Sequence, residues 1–104
     1  MIETKYNTIP NELFDNYLHS LINRIYKILP LKEENSKTVS RYIESLLSEM
    51  TGSTDVILFL KSDEQYLSII NTLEYICFSK DIALCKREIF KCIHIVENLI
   101  EKYC

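Results

Sequence analysis

The sequence predicts an all-α fold, namely an antiparallel helical bundle of four main helices plus one short helix. Three observations predict it. The 104 residues include only one glycine and two prolines, whereas β-folds need many such turn residues. Apolar residues recur with helical spacing along most of the chain. Hydrophobic residues make up 47% and charged residues 26%, which is typical of one globular domain with its own core, here residues 1–104.

The chain begins with a polar segment, residues 1–9, which we expect to form either a packed arm or a loose one. The first main helix is predicted from Pro10 to Leu29, since proline is accepted in the first turn. Pro30 is expected to end it, because a residue before proline is disfavoured in helical geometry. The apolar seam of this helix consists of Phe14, Leu18, Leu21, Ile25 and Ile28.

The second main helix is predicted to begin at a cap formed by Asn35 or Ser36 and to reach Thr51. Gly52, the only glycine, follows it where a left-handed C-cap would end the helix. The predicted buried positions are Val39, Ile43, either Leu46 or Leu47, and Met50.

Residues 53–61 contain a continuous apolar run that does not by itself distinguish a short helix from a strand. A lone strand would lack a partner, so we predict a short helix that begins at Ser53. A capping box at Ser62, with Gln65 at the third helical position, is then expected to open a third main helix that reaches Phe78. Its predicted buried positions are Tyr66 or Leu67, Ile69, Ile70, Leu73, Ile76 and Cys77.

The strongest pattern lies between Asp81 and Tyr103, a stretch without glycine or proline. Its apolar residues follow each other in alternating steps of three and four, as along the seam of a packed helix. Such a helix is marginal in water by itself, so the rest of the chain must supply its packing partners. The seam consists of Ile82, Cys85, Ile89, Cys92, Val96, Leu99 and Tyr103.

The net charge of −3 argues against a generic nucleic-acid binder, because neutralising phosphates requires clustered basic residues. We expect no membrane partner and a cytoplasmic location, since there is neither a secretory signal nor an apolar run of about 20 residues. The four cysteines are interpreted as small core residues in a reducing compartment, except for an exposed Cys104. The abundance of Lys, Ile and Asn is compatible with an AT-rich bacterial or phage-like genome.

One short stretch, residues 38–41, has the order Thr-Val-Ser-Arg. It resembles the start of the recognition helix in bacterial helix-turn-helix repressors, where such side chains reach phosphates and base edges. That family has a small residue and a glycine where this chain has Leu29 and Glu33. The simpler interpretation is an ordinary helix start, and nucleic-acid binding through the 36–51 helix is the alternative function. Its predicted contacts are Thr38, Ser40 and Arg41.

Catalytic or metal chemistry is not indicated. Cys85, Cys92 and His94 contain ligand atoms, but at 100° per residue His94 points away from the two cysteines. His19 lies beside the first seam, and we interpret it as a partly buried structural residue. One glycine leaves no loop that could cradle phosphate. We therefore expect no enzyme, no cofactor and no metal.

Bulky apolar residues exceed what one seam per helix requires, and an exposed excess of this kind marks partner sites. Basic residues of the last helix would lie at the rim, although Glu88 and Glu97 interrupt them. We predict a non-catalytic protein-protein interaction module, which is a small cytosolic adaptor, complex subunit or immunity-type inhibitor. It would bind a protein partner or a second copy through helix faces. The predicted partner-binding residues are Tyr26, Phe59, Tyr75, Phe78, Phe90, Lys86, Arg87 and Lys91.

Overall fold

The computed structural model describes all 104 residues. Its four long helices are α1 (Asn11–Glu33), α2 (Val39–Val56), α3 (Glu64–Ile76) and α4 (Ile82–Tyr103). A short 3-10 helix, Leu58–Ser62, lies between α2 and α3, and the strands β1 (Ile2–Glu3) and β2 (Thr8–Ile9) form a small antiparallel hairpin. The predicted all-α bundle of four main helices plus one short helix is confirmed.

The helices close a ring, because each packs against its neighbour in the chain and α1 also packs against α4. The ring centroids of Phe14 and Tyr103 are 6.1 Å apart, and those of Tyr26 and Phe90 are 5.8 Å apart. The start of α1 thus meets the end of α4, so these two helices are antiparallel. Short connections likewise make each helix antiparallel to the next helix in the chain.

The core confirms most of the predicted seam positions. The five seam residues of α1 are at most 1% exposed. In α2 either Leu46 or Leu47 was predicted to be buried, and the buried residue is Leu46. In α4 the first predicted seam residue, Ile82, begins the helix and is 37% exposed, and the last one, Tyr103, is half-buried. The buried residues of α3 and α4 are Tyr66, Ile69, Ile70, Leu73, Ile76, Cys85, Ile89, Cys92, Ile93, Val96 and Leu99.

The prediction that Pro30 ends the first helix is wrong, since α1 continues for three residues beyond it. Near the end of a helix, the pyrrolidine ring of proline removes only one backbone hydrogen bond, so the helix can continue past it. The helix ends instead before Asn35, whose φ is 53°. The Asn35 N–H donates to Lys32 O at 3.0 Å, and the Ser36 N–H donates to Leu31 O at 3.0 Å. This is a Schellman motif with asparagine in the left-handed position.

The prediction that Gly52 ends the second helix is also wrong. Gly52 has a negative φ and lies inside α2, which continues to Val56. The backbone hydrogen bonds continue past Gly52, since the Ile57 N–H donates to Ser53 O at 2.8 Å, and Ser53 Oγ donates to Glu49 O at 3.0 Å. The residues assigned to a separate short helix from Ser53 therefore split between α2 and the 3-10 helix.

The predicted helix starts shift as well. Asn35 and Ser36 take part in ending α1, so α2 begins later, after Thr38. The capping box predicted at Ser62 does not form, because Asp63 is the N-cap of α3 and its Oδ1 accepts from the Tyr66 N–H at 3.0 Å. The third helix ends at Ile76, two residues before its predicted end.

The N-terminal segment is a packed arm. Ile2 is 6% exposed and pairs with Ile9 in the hairpin. Thr4 forms an isolated β-bridge with Ile57, and the Lys5 N–H donates to Val56 O at 2.7 Å. The arm therefore covers the junction between α2 and the 3-10 helix.

Replacing Gly52 with alanine should stabilise the fold by about 1 kcal/mol, because glycine inside a helix carries a conformational-entropy cost. A Cβ atom at this position would meet nothing within 4 Å. Urea unfolding followed by circular dichroism measures the change. The matched control is Asn35→Ala, which should destabilise by about 1 kcal/mol because alanine disfavours the left-handed region. A destabilised Gly52→Ala variant would contradict the helical conformation of this residue.

Candidate functional site

Two of the predicted partner-binding aromatic residues meet on the surface between α1 and α4. The rings of Tyr26 and Phe90 lie edge to face, with planes at 78°. Tyr26 is 45% exposed and Phe90 is 43% exposed. Each directly follows a buried seam residue, Ile25 or Ile89, and so lies about 100° around its helix from the core. Edge-to-face packing contributes about 0.5–1.5 kcal/mol beyond burial, so the Tyr26–Phe90 pair is an ordered apolar patch.

Of the predicted basic residues on α4, Lys86 lies one turn before Phe90 and so on the same side of the helix, whereas Arg87 lines a groove between α3 and α4. Lys86, Arg87 and Lys91 are all exposed. Arg87 Nε lies 3.5 Å and Lys91 Nζ lies 3.8 Å from Glu88 Oε1, so one carboxylate offsets part of their charge. Lys86 forms no ion pair. Of these three basic residues, Lys86 is thus the one unpaired cation on the side of α4 that carries Phe90.

The other predicted aromatic residues lie elsewhere. Tyr75 is 65% exposed and lines a groove between α3 and α4 together with Arg87. Phe78 is 73% exposed in the connection between the same two helices. The predicted partner-binding residues therefore do not form one continuous surface.

Phe59 is half-buried and belongs to an aromatic cluster. Its ring centroid is 5.4 Å from that of Phe14 and 4.2 Å from that of Tyr103. This packing ties the 3-10 helix to the first turn of α1 and the last turn of α4. We assign Phe59 primarily a structural role, because its ring packs against the buried Phe14 and the half-buried Tyr103.

Asp63 links the start of α3 to the end of α4. In addition to capping α3, its Oδ2 accepts hydrogen bonds from Tyr103 Oη and, at 3.4 Å, from Lys102 Nζ. Burial by itself would raise the pKa of Asp63, but the hydrogen bonds from Tyr103 and Tyr66 and the charge of Lys102 outweigh it. The pKa of this carboxyl is thus lowered from its ordinary value. The contacts of Asp63 with Lys102 and Tyr103 were not predicted from the sequence, because these residues are far from Asp63 in the chain.

A cleft of about 200 Å³ lies at one end of the bundle, and we call it the Lys32 cleft. Lys32 is only 7% exposed, and its Nζ donates to Cys77 O at 3.0 Å and to Ser79 O at 2.7 Å. It forms no ion pair with a carboxylate. The lining residues are Lys32, Asn35, Ser36, Val39, Ser40, Cys77, Phe78, Ser79, Lys80 and Ile82.

Sequence reasoning missed Lys32 because Pro30 was expected to end the helix before it. The signal that could have found it is the seam itself. Lys32 follows the buried Ile28 by four residues and so continues the inward-facing stripe of α1. A lysine on such a stripe must satisfy its ammonium inside the fold, which Lys32 does with backbone carbonyls.

The three residues predicted for nucleic-acid binding lie at the start of α2. Thr38 is the N-cap residue and is exposed, and its Oγ1 lies 2.9 Å from Ser36 Oγ. Ser40 is half-buried and lines the Lys32 cleft. Arg41 is exposed and does not line this cleft. They share one helix end, but only one of them belongs to the cleft.

The two histidines are both exposed. The prediction that His19 is partly buried is wrong, because its ring turns outward and Nδ1 lies 2.9 Å from Asp15 O, one turn earlier in α1. His94 lies on the solvent side of α4, opposite the buried Cys92 and Cys85. No three His, Cys, Asp or Glu side chains gather into a group that could hold a metal ion.

The cysteines are all free, and three of them are core residues as predicted, while Cys104 is exposed. Burial raises the pKa of the Cys92 thiol to about 12, so this sulfur stays protonated and unreactive at neutral pH. None of the helices combines the length and apolar character needed to cross a membrane.

No protein-family model matches the chain, and comparisons with curated proteins and with solved structures find no match either.

Proposed function

We propose that the chain is a non-catalytic protein-protein interaction module, acting as a small cytosolic adaptor, complex subunit or inhibitor. It binds its partner through the surface between α1 and α4. The observation that carries this proposal is the Tyr26–Phe90 pair, whose two exposed rings pack edge to face. Interfaces are anchored by aromatic residues of this kind, because an ordered ring buries a large area with little loss of side-chain entropy.

The surroundings of the pair also fit an interface. Ile22 and Leu29 lie one turn before and one turn after Tyr26 on α1, and both are half-buried against the core. They extend the apolar centre along the helix. Lys86, one turn before Phe90, lies toward the edge, where charges mainly set register and association rate. A suitable partner therefore presents an apolar helix face with acidic residues at its rim.

The first test is self-association, the simplest form of the proposal, because a two-fold axis would place the Tyr26–Phe90 pair against its copy. Sedimentation equilibrium should then show a dimer that dissociates in the Tyr26→Ala/Phe90→Ala variant. Tyr75→Ala is the matched control, since Tyr75 is equally aromatic and 65% exposed but lies outside the pair.

If the wild-type chain is monomeric, the partner is another protein. Partners captured from the native host are then purified and titrated with the chain. We expect the double alanine variant to weaken binding by about 30-fold or more, which corresponds to about 2 kcal/mol for a hot spot. The Tyr75→Ala control should bind like the wild type. Unchanged affinity of a folded double variant for a reconstituted partner would refute this interface.

A further inference from the structure

The Lys32 cleft contains a buried cation that has no anion. The ammonium group has three N–H donors, and only two of them have acceptors in the protein, the carbonyls of Cys77 and Ser79. Burying a charge is unfavourable unless it is paired as well as hydrogen-bonded. The two carbonyls offset part of this cost and fix the position of Nζ. The third donor and the net positive charge remain available to a bound group.

The only other charged residue that lines the cleft is also a lysine. Lys80 supplies a second cation, and no Asp or Glu is among the ten lining residues. The first turn of α2 opens here without a side-chain cap, and the Ser40 N–H has no acceptor in the protein. The unpaired N–H groups of a helix start favour an anion. Ser36 and Ser79 also line the cleft.

One wall of the cleft is apolar. Phe78 is 73% exposed and Ile82 is 37% exposed, and both line the cleft together with Val39. A large ring left in solvent beside two lysines is suited to cover the carbon skeleton of a charged ligand. The volume of about 200 Å³ is smaller than the ~300–1,000 Å³ of pockets for drug-sized molecules. The ligand is therefore small.

We infer that the Lys32 cleft binds a small organic anion, in which a carboxylate or phosphate group is joined to an apolar moiety. Lys32 and Lys80 balance the charge, the Ser40 N–H donates a hydrogen bond, and Phe78 covers the apolar part. This site is formed by residues outside the Tyr26–Phe90 pair, so it does not depend on the proposed interface.

The test is a nitrogen-15 NMR titration of the full chain at constant ionic strength, with phenyl phosphate as the probe. We expect saturable shifts of the amides at the start of α2 and at Ser79 and Lys80. Inorganic phosphate should bind at least several-fold more weakly, because it lacks the apolar part, and benzyl alcohol should cause no saturable shifts. Shifts that are linear in concentration, or spread over all exposed lysines, would overturn the inference.

Variants make the test specific. Lys80→Ala changes an exposed residue and should weaken phenyl phosphate binding about tenfold, as expected for the loss of one charged partner. Lys37→Ala removes an exposed lysine of the connection between α1 and α2 that does not line the cleft, and this variant should bind like the wild type. Lys32→Met should abolish binding if it folds. Equal affinities of Lys80→Ala and Lys37→Ala would overturn the inference without reference to Lys32.

Discussion

Replacing Asp63 with alanine should lower the free energy of unfolding by about 3 kcal/mol. Loss of a helix N-cap costs about 1 kcal/mol, and loss of hydrogen bonds to a buried charge costs about 1.5–3 kcal/mol. Asp63 has both roles, because it caps α3 through the Tyr66 N–H and accepts from Tyr103 and Lys102 of α4. Urea unfolding at pH 7 measures the loss.

The matched control for this prediction is Asp81→Ala. Asp81 is the N-cap of α4, and its Oδ1 accepts from the Leu84 N–H at 3.1 Å, but it is exposed and forms no ion pair. We expect a loss of about 1 kcal/mol, the contribution of a cap alone. Equal losses in the two variants would show that the contacts of Asp63 with Tyr103 and Lys102 do not stabilise the fold.

The lowered pKa of Asp63 also predicts a pH dependence. A carboxyl whose folded pKa lies below its unfolded value of about 4 stabilises the fold fully above that value. Its contribution decreases as the pH falls through the unfolded value toward the lower folded one. Between pH 5 and pH 2 the wild type should therefore lose more stability than Asp63→Asn, which cannot titrate at this position. Parallel curves for the two proteins would contradict the assigned direction of the shift.

Removing the hydroxyl of Tyr66 should cost about 2 kcal/mol, within the range of about 1–3 kcal/mol for leaving a buried partner unsatisfied. Tyr66 is 0% exposed, and its Oη donates to Met50 O at 3.1 Å. The hydroxyls of Tyr66 and Tyr17 hydrogen-bond at 2.8 Å, and Ser53 Oγ lies 3.0 Å from Tyr17 Oη. Burial is the main cause that raises the pKa of Tyr66, and the neighbouring Tyr17 raises it further. The hydroxyl therefore stays protonated and remains a donor.

The measurement for Tyr66→Phe is again urea unfolding, with Tyr17→Phe as its control. Tyr17 is only half-buried, so water can replace its hydroxyl and the loss should stay below about 1 kcal/mol. The double variant tests whether the hydroxyls act together, because interacting groups give non-additive losses. A Tyr66→Phe variant as stable as the wild type would show that this hydrogen-bond chain does not contribute to stability.

The buried seams of α1 and α4 could be predicted almost residue by residue. Burial there follows the helical period, which is a property of consecutive residues and needs no knowledge of the partner helix. The exceptions, Ile82 and Tyr103, lie in the first and last turns of α4, where neighbours on other elements decide how much of the side chain is covered.

The helix ends could not be predicted in this way. Pro30 and Gly52 are strong local signals, yet α1 and α2 pass through both of them. Helix termination depends on where the last carbonyls and the next side chains find partners. At the end of α1 this is decided by Asn35 and by the buried Lys32, whose ammonium is bound by the connection between α3 and α4.

From the sequence alone follow the helical class, the inward face of each long helix and the set of aromatic residues outside the seams, because all three depend on spacing within one segment. Only the tertiary structure decided which of those residues meet. It joined Tyr26 to Phe90, separated Tyr75 and Phe78 from them, and placed Lys32 in a cleft with Lys80. Such sites are formed by side chains from several helices, and the order in which those helices pack is not contained in the period of any one of them.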